Sequence, residues 1–313
     1  MAGSGEHALR QSDRRPIVGA ALVLGAASLW ATFGIFAKFL YQAGLEPLEV
    51  ASARAAVGFA GVLLVASLQT LRRGTARAGV RVPLRSIPFF AAYGILGFAL
   101  FGLLFLGGLE RTTVSIAVAL LYTAPAFVVL ISAVLWRERF DRIRALSLLL
   151  VLAGVLLVTG AAGSVLSGAV PLSSTALLFG LGSGLGYALY TLFSKVATER
   201  YGPLASLFWS FAFAALSLWI VASPITPFMR APDQALLLIG LGLVPTLLPY
   251  ALYMAALRHL RASTAAMLAS IEPAIAALLA ALLLGERMDA LQFAGMVLVV
   301  SAAVLLAREA RVE

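Results

Sequence analysis

The sequence predicts an all-α integral membrane protein, with ten transmembrane helices arranged as two inverted five-helix repeats. Three observations carry this. First, 62% of the 313 residues are hydrophobic and 12% charged, against roughly a quarter charged in soluble domains, and the mean hydropathy is +1.00. Second, the stretch Ser263 to Asp289 repeats Ser115 to Asp141 without a gap, pairing Pro125 with Pro273, Glu138 with Glu286, Arg139 with Arg287 and Asp141 with Asp289. Third, each unit of the repeat holds an odd number of helices, so the second enters the membrane from the face opposite the first.

Taken in order, residues 1–16 form a polar, basic tail. The apolar run from Ile17 to Tyr41 is too long for a cleaved signal and reads as an uncleaved first span. At roughly 20 residues per crossing, the remaining spans fall at Leu48 to Leu71, Ile87 to Leu109, Val114 to Leu135, Ala145 to Ala162, Thr175 to Ala197, Leu204 to Val221, Ala235 to Leu257, Ala262 to Leu284 and Ala290 to Leu306. A Gly/Ser-rich linker, residues 163–174, separates the first repeat, 17–162, from the second, 175–307, and 308–313 form a C-terminal tail. Within the spans Pro125, Pro245, Pro249 and Pro273 free backbone carbonyls and mark the bending points, because such carbonyls are tolerated only against protein or a water-filled cavity.

Lys and Arg near span ends stay cytoplasmic. With both termini inside, 17 of the 23 fall on the cytoplasmic side and three outside, with Lys38, Arg54 and Lys195 within spans. The net charge of +9 therefore describes topology in an inner or plasma membrane rather than nucleic-acid binding. Helix 4 then runs outward to inward and its copy, helix 9, inward to outward. The match extends upstream: Phe36-Ala37-Lys38 aligns with Phe193-Ser194-Lys195, Pro47 with Pro203 and Gly94 with Gly242. Inverted repeats suit alternating access, in which equivalent parts exchange roles across the membrane.

Several chemistries are excluded. Cysteine is absent and His7 and His259 are the only imidazoles, so neither a thiolate nor a histidine metal site is expected. No Gly-Lys precedes Ser or Thr, which removes a P-loop motor, and no His-Glu-x-x-His or Gly-x-Ser pattern supports a hydrolase. No cofactor is expected, and the chain does not read as an enzyme.

The polar residues within spans are the candidate site, because intramembrane charge is costly. Glu272 lies ten residues from Ala262, about 15 Å deep at about 1.5 Å per residue, near the middle of a core about 30 Å thick. It is the candidate proton carrier, or a ligand for a substrate amine, or a protonated carboxyl satisfied by a neighbouring hydroxyl. Arg54, near the outer mouth, is placed to hold a substrate carboxylate with its planar fork, or else pairs with Glu46 or Glu49. Lys38 and Lys195, at helix C-termini, read as structural cations favoured by the helix dipole. Trp30, Phe33, Tyr93, Tyr122, Tyr187, Tyr190, Tyr250 and Tyr253 either line the pathway or pack between helices, since a buried hydroxyl needs a partner. In helix 6, Gly180, Gly182, Gly184 and Gly186 form overlapping small-xxx-small pairs; these serve packing inside a monomer, with homodimerisation as the other use.

With Trp30, Phe33 and Lys38 in helix 1, Pro47 and Arg54 in helix 2, and the Pro125–Glu138 and Pro273–Glu286 spacing in helices 4 and 9, the chain resembles the EamA-type proteins of the drug/metabolite transporter superfamily over nearly its whole length. The resemblance implies export of amino acids and other small metabolites through a cavity lined by helices 1 to 4 and 6 to 9, with helices 5 and 10 outside it. Arg54 has Ser210 as its repeat partner and Glu272 has Ala124, so the cavity chemistry is not symmetric. The expected partners are a small-molecule substrate, the bilayer and protons. Uniport, or a non-transporting membrane-embedded binding or assembly subunit, are the alternatives.

Overall fold

The computed structural model describes residues 3–73, 79–138, 141–167, 173–285 and 288–309. Arg139, Glu286 and Arg287 of the internal repeat, and residues 168–172 of the central linker, lie outside the described residues. Among the described residues eight helices are long and apolar enough to cross a membrane. They are α1 (Pro16–Gln42), α2 (Pro47–Arg72), α3 (Leu84–Leu109), α4 (Val114–Leu135), the 48-residue Ser174–Val221, α8 (Pro232–Ala256), α9 (Ala262–Leu283) and α10 (Ala290–Glu309). One further helix, α5 (Arg142–Val158), has 17 residues. The 48-residue run is two helices, α6 and α7, meeting at Gly202, whose φ of 81° and ψ of 164° suit glycine alone. Pro203 opens the second, where its missing N–H costs nothing. The expected connection between Ala197 and Leu204 is thereby reduced to one residue. In the central linker, Ala161–Leu166 forms a short helix after Gly160 (φ 74°), which its Gly/Ser content concealed.

The two repeats are mirrored in detail. α3 carries a π-helical segment at Ile95–Leu100 and α8 one at Leu243–Leu247; both begin 148 residues apart, after the paired Gly94 and Gly242. In α8 the Thr246 hydroxyl donates to the Leu241 carbonyl at 2.8 Å, taking up an acceptor within the segment that holds Pro245. α4 breaks at Tyr122 and Thr123 and α9 at Ser270 and Ile271, one turn ahead of Pro125 and Pro273. Those prolines thus sit at the start of the following helical piece, where proline is tolerated.

Close backbone approach, the main source of helix association in lipid, follows the same symmetry. A Cβ on Gly94 would lie 2.5 Å from Phe213 and 2.8 Å from the Ser210 carbonyl of α7; one on Gly242 would lie 2.4 Å from Val57 and 3.3 Å from the Arg54 carbonyl of α2. Gly180, Gly184 and Gly186 of α6 press on Leu120, Thr123 and Phe101, so the small-residue face of α6 packs inside the monomer. α5 and α10 pack on each other through Gly154 and Gly295, and buried Arg144 pairs with Glu309 at 2.9 Å. The repeated aspartates are N-caps: Arg144 N–H donates to Asp141 at 2.9 Å and Gln292 N–H to Asp289 at 2.8 Å.

Candidate functional site

α1, α3, α4, α6 and α8 bring seven of the eight predicted aromatic residues into one cluster. Trp30 meets the rings of Tyr187, Tyr250 and Tyr253 at 6.4, 5.4 and 5.3 Å. Tyr190 stacks on Tyr187 and Tyr253, each at 5.9 Å, and lies 6.1 Å from Tyr93. Tyr122 meets Tyr187 edge-on at 6.4 Å. Phe33 is apart from these rings, beneath the Arg54 guanidinium at 5.0 Å.

The hydroxyls differ in their surroundings. Tyr93 is bonded to Ser194 at 2.5 Å and Tyr253 to Thr191 at 3.3 Å, both internal contacts between α6 and its neighbours. Tyr122 stands beside the Glu272 carboxylate, and Tyr250 lies in the field of both Arg54 and Glu272. Among the described residues the Tyr190 hydroxyl is buried with no hydrogen-bond partner. Tyrosine therefore serves two purposes here: Tyr93 and Tyr253 fasten helices, whereas Tyr122 and Tyr250 dress the two ionisable groups.

Glu272 opens the second piece of α9, directly after the break at Ser270 and Ile271. Holding a charge at the middle of a span costs about 2.5–3.5 kcal/mol on insertion scales; a hydrogen bond to a charged group returns about 1.5–3 kcal/mol. A neighbouring hydroxyl alone would therefore leave an ionised carboxylate there near break-even. Arg54 does not pair with Glu46 or Glu49: Glu49 instead binds Arg230 at 2.8 Å and caps its own helix at the Glu46 N–H. The guanidinium is left facing Phe33 and Tyr250.

Arg54 and Tyr250 also border a pocket with Phe98, Phe211 and Thr246, of about 20 Å³, room for about one water. A metabolite therefore enters this pocket only with side-chain rearrangement. Phe98, Phe211 and Thr246 were not among the expected site residues. The signal for Phe98 and Thr246 lay in the equivalent π segments, which helical periodicity does not reveal, and Phe211 reads as any lipid-facing or core phenylalanine. Of the four expected bending residues, Pro125 and Pro273 flank breaks, Pro245 lies inside a π segment and Pro249 follows it at the start of the next α-helical piece.

Lys195 turns toward the end of α8. It donates to the carbonyls of Leu257 at 2.6 Å and Leu260 at 2.9 Å and pairs with Glu199 at 2.9 Å. The helix end this cation serves is thus that of α8 rather than its own. Among the described residues no group of His, Asp and Glu is placed to hold a metal.

The sequence pattern of the EamA-like transporter family matches residues 17–160 and again 174–308. Similar proteins include an uncharacterized transporter of Archaeoglobus fulgidus, 29% identical over 69% of this chain and 76% of that protein. The uncharacterized transporter YdfC of Bacillus subtilis is 28% identical over 83% and 82%. The uncharacterized inner membrane transporter YicL of Salmonella typhimurium is 26% identical over 92% and 95%. A crystal structure covering 93% of this chain and 98% of its own superposes with a TM-score of 0.72 at 18% identity, a likeness of fold.

Proposed function

The chain belongs to the EamA-like transporter family, and from that premise we propose that this membrane transporter exports small zwitterionic metabolites, amino acids or their relatives, by proton-coupled alternating access. The observation that carries the reading is that Arg54 borders one pocket with Tyr250 and that Glu272 acts on the same tyrosine electrostatically, against an aromatic wall. A guanidinium holds a carboxylate in a fixed orientation, a carboxylate accepts an ammonium, and the rings of Trp30 and Tyr187 contact the apolar remainder. Sites of this kind, mostly apolar with a few placed polar groups, fit small molecules.

Glu272 is also the group assigned to the proton: holding a proton when the site is empty and a substrate amine when it is filled, it makes the two mutually exclusive. In our reading the chain makes ten crossings, with α5, α6 and α7 each spanning separately and both termini cytoplasmic; the bias of 17 cationic residues against three supports that orientation. Labelling of Ser167→Cys, in a chain with no cysteine, from the cytoplasm alone contradicts it. Transport is tested by counterflow in proteoliposomes with a panel of labelled amino acids and their decarboxylated and deaminated analogues. Exchange of zwitterions in preference to either analogue is expected; preference for an analogue lacking one charge overturns the two-ended site.

A further inference from the structure

The two ends of the bundle differ although the repeats that build them match. At one end Ala262–Ala269 of α9 packs on Ala124–Leu135 of α4 and on α1, and polar contacts tie the helices together. Lys195 of α6 spends its three donors on the Leu257 and Leu260 carbonyls and on Glu199. Leu257 is the C-cap of α8, where a helix leaves its acceptors unpaired and favours a cation, and Leu260 lies in the turn that follows. Beside them the Ser263 hydroxyl of α9 donates to the Glu138 carboxylate at the end of α4, joining the second repeat to the first. At the other end the repeat equivalent of Lys195 is Lys38, which is exposed. Its helical piece, Phe33–Gln42, packs on Ala235–Gly242 of α8. The positions equivalent to Leu257 and Leu260 are Leu109 and Thr112, at the end of α3.

We propose that Lys195 and Glu138 latch one face of the transporter shut, and that Lys38 is the latch of the opposite face. In the alternate conformation Lys195 leaves the Leu257 and Leu260 carbonyls, and Lys38 exchanges its present contacts for the carbonyls of Leu109 and Thr112. The proposal rests on the alternating-access reading. It also accounts for residue choice: these are the only two lysines in a chain with 23 Lys and Arg. A compact ammonium on a flexible stem engages and leaves carbonyls more readily than a planar guanidinium, which is matched to a bidentate partner.

The test is the distance distribution between paired spin labels in the full chain reconstituted without substrate. Arg200→Cys with Arg258→Cys brackets the Lys195 latch, and the repeat-equivalent Ala43→Cys with Glu110→Cys brackets the other face; all four side chains are exposed. Lys195→Met is expected to lengthen the first distance and shorten the second, and Lys38→Met to deplete the short population of the second. Lys195→Arg should recover the wild-type distribution only in part. A folded Lys195→Met with both distributions unchanged, or with both faces loosened together, overturns the latch. Should Lys195→Met not fold, Ser263→Ala carries the same expectation, and its unchanged distributions overturn it equally. Because no substrate enters the measurement, a failed latch is distinguishable from a failed transport assay.

Discussion

Arg54 lies over the ring of Phe33 at 5.0 Å and borders one small pocket with Tyr250. The guanidinium is therefore held between α1 and α8, although the residue itself is carried by α2.

That fixing makes the site selective for a flat anion. Lysine offers a point charge without the fork, so Arg54→Lys is expected to lose discrimination between carboxylate-bearing and decarboxylated substrates. Relative counterflow rates measure it, and unchanged relative rates remove Arg54 from recognition.

Tyr190 and Tyr253 stack on each other yet should respond oppositely to loss of the hydroxyl. Tyr190→Phe removes a buried group with no partner, whose burial costs about 1–3 kcal/mol, and should raise the thermal midpoint in detergent. Tyr253→Phe breaks a bond to Thr191 worth about 1 kcal/mol and should lower it. A fall in both midpoints refutes the assignment of partners.

Gly242→Ala places a Cβ 2.4 Å from Val57, whereas Gly102→Ala meets nothing within 4 Å. Overpacking costs about 1–3 kcal/mol, and a change at an open position about 0.5 kcal/mol or less. The first variant should lose thermal stability and the second should not, by melting in the same detergent. Gly94→Ala should behave as Gly242→Ala, since Phe213 stands where Val57 does.

Asp141 caps α5, and the Arg144 N–H, followed by the bond to Glu309 and the Arg144 charge, holds its carboxyl below the usual carboxylate range. A lowered native value means the stabilisation is present above the unfolded value, about 3.9, and is lost as pH falls through the native one. Asp141→Ala should therefore cost about 1 kcal/mol at neutral pH, and the gap to wild type should close below about pH 4. A gap that stays constant down to pH 2 would show that the charge is irrelevant to the cap.

Much of the fold was legible in the sequence because lipid imposes a narrow rule: apolar stretches of span length must be helices. The repeat at 148 residues exposed the internal symmetry, and Pro125 and Pro273 marked the breaks in α4 and α9. The π segments were hidden, since inserting one residue into a helix leaves apolar composition unchanged. In the site, Glu272 and Arg54 stood out by charge against an apolar background. Phe98, Phe211 and Thr246 carried no such contrast, and the switch of Lys195 onto the carbonyls of α8 depends on a tertiary approach that no local pattern encodes.

Transport and proton coupling separate most directly in proteoliposomes, by comparing pH-gradient-driven accumulation with counterflow for wild type and Glu272→Gln. Glu272, beside Tyr122 and the break in α9, is expected to carry the proton. Glu272→Gln should lose gradient-driven accumulation while retaining counterflow of the same labelled substrate. Accumulation by Glu272→Gln equal to that of wild type would contradict it.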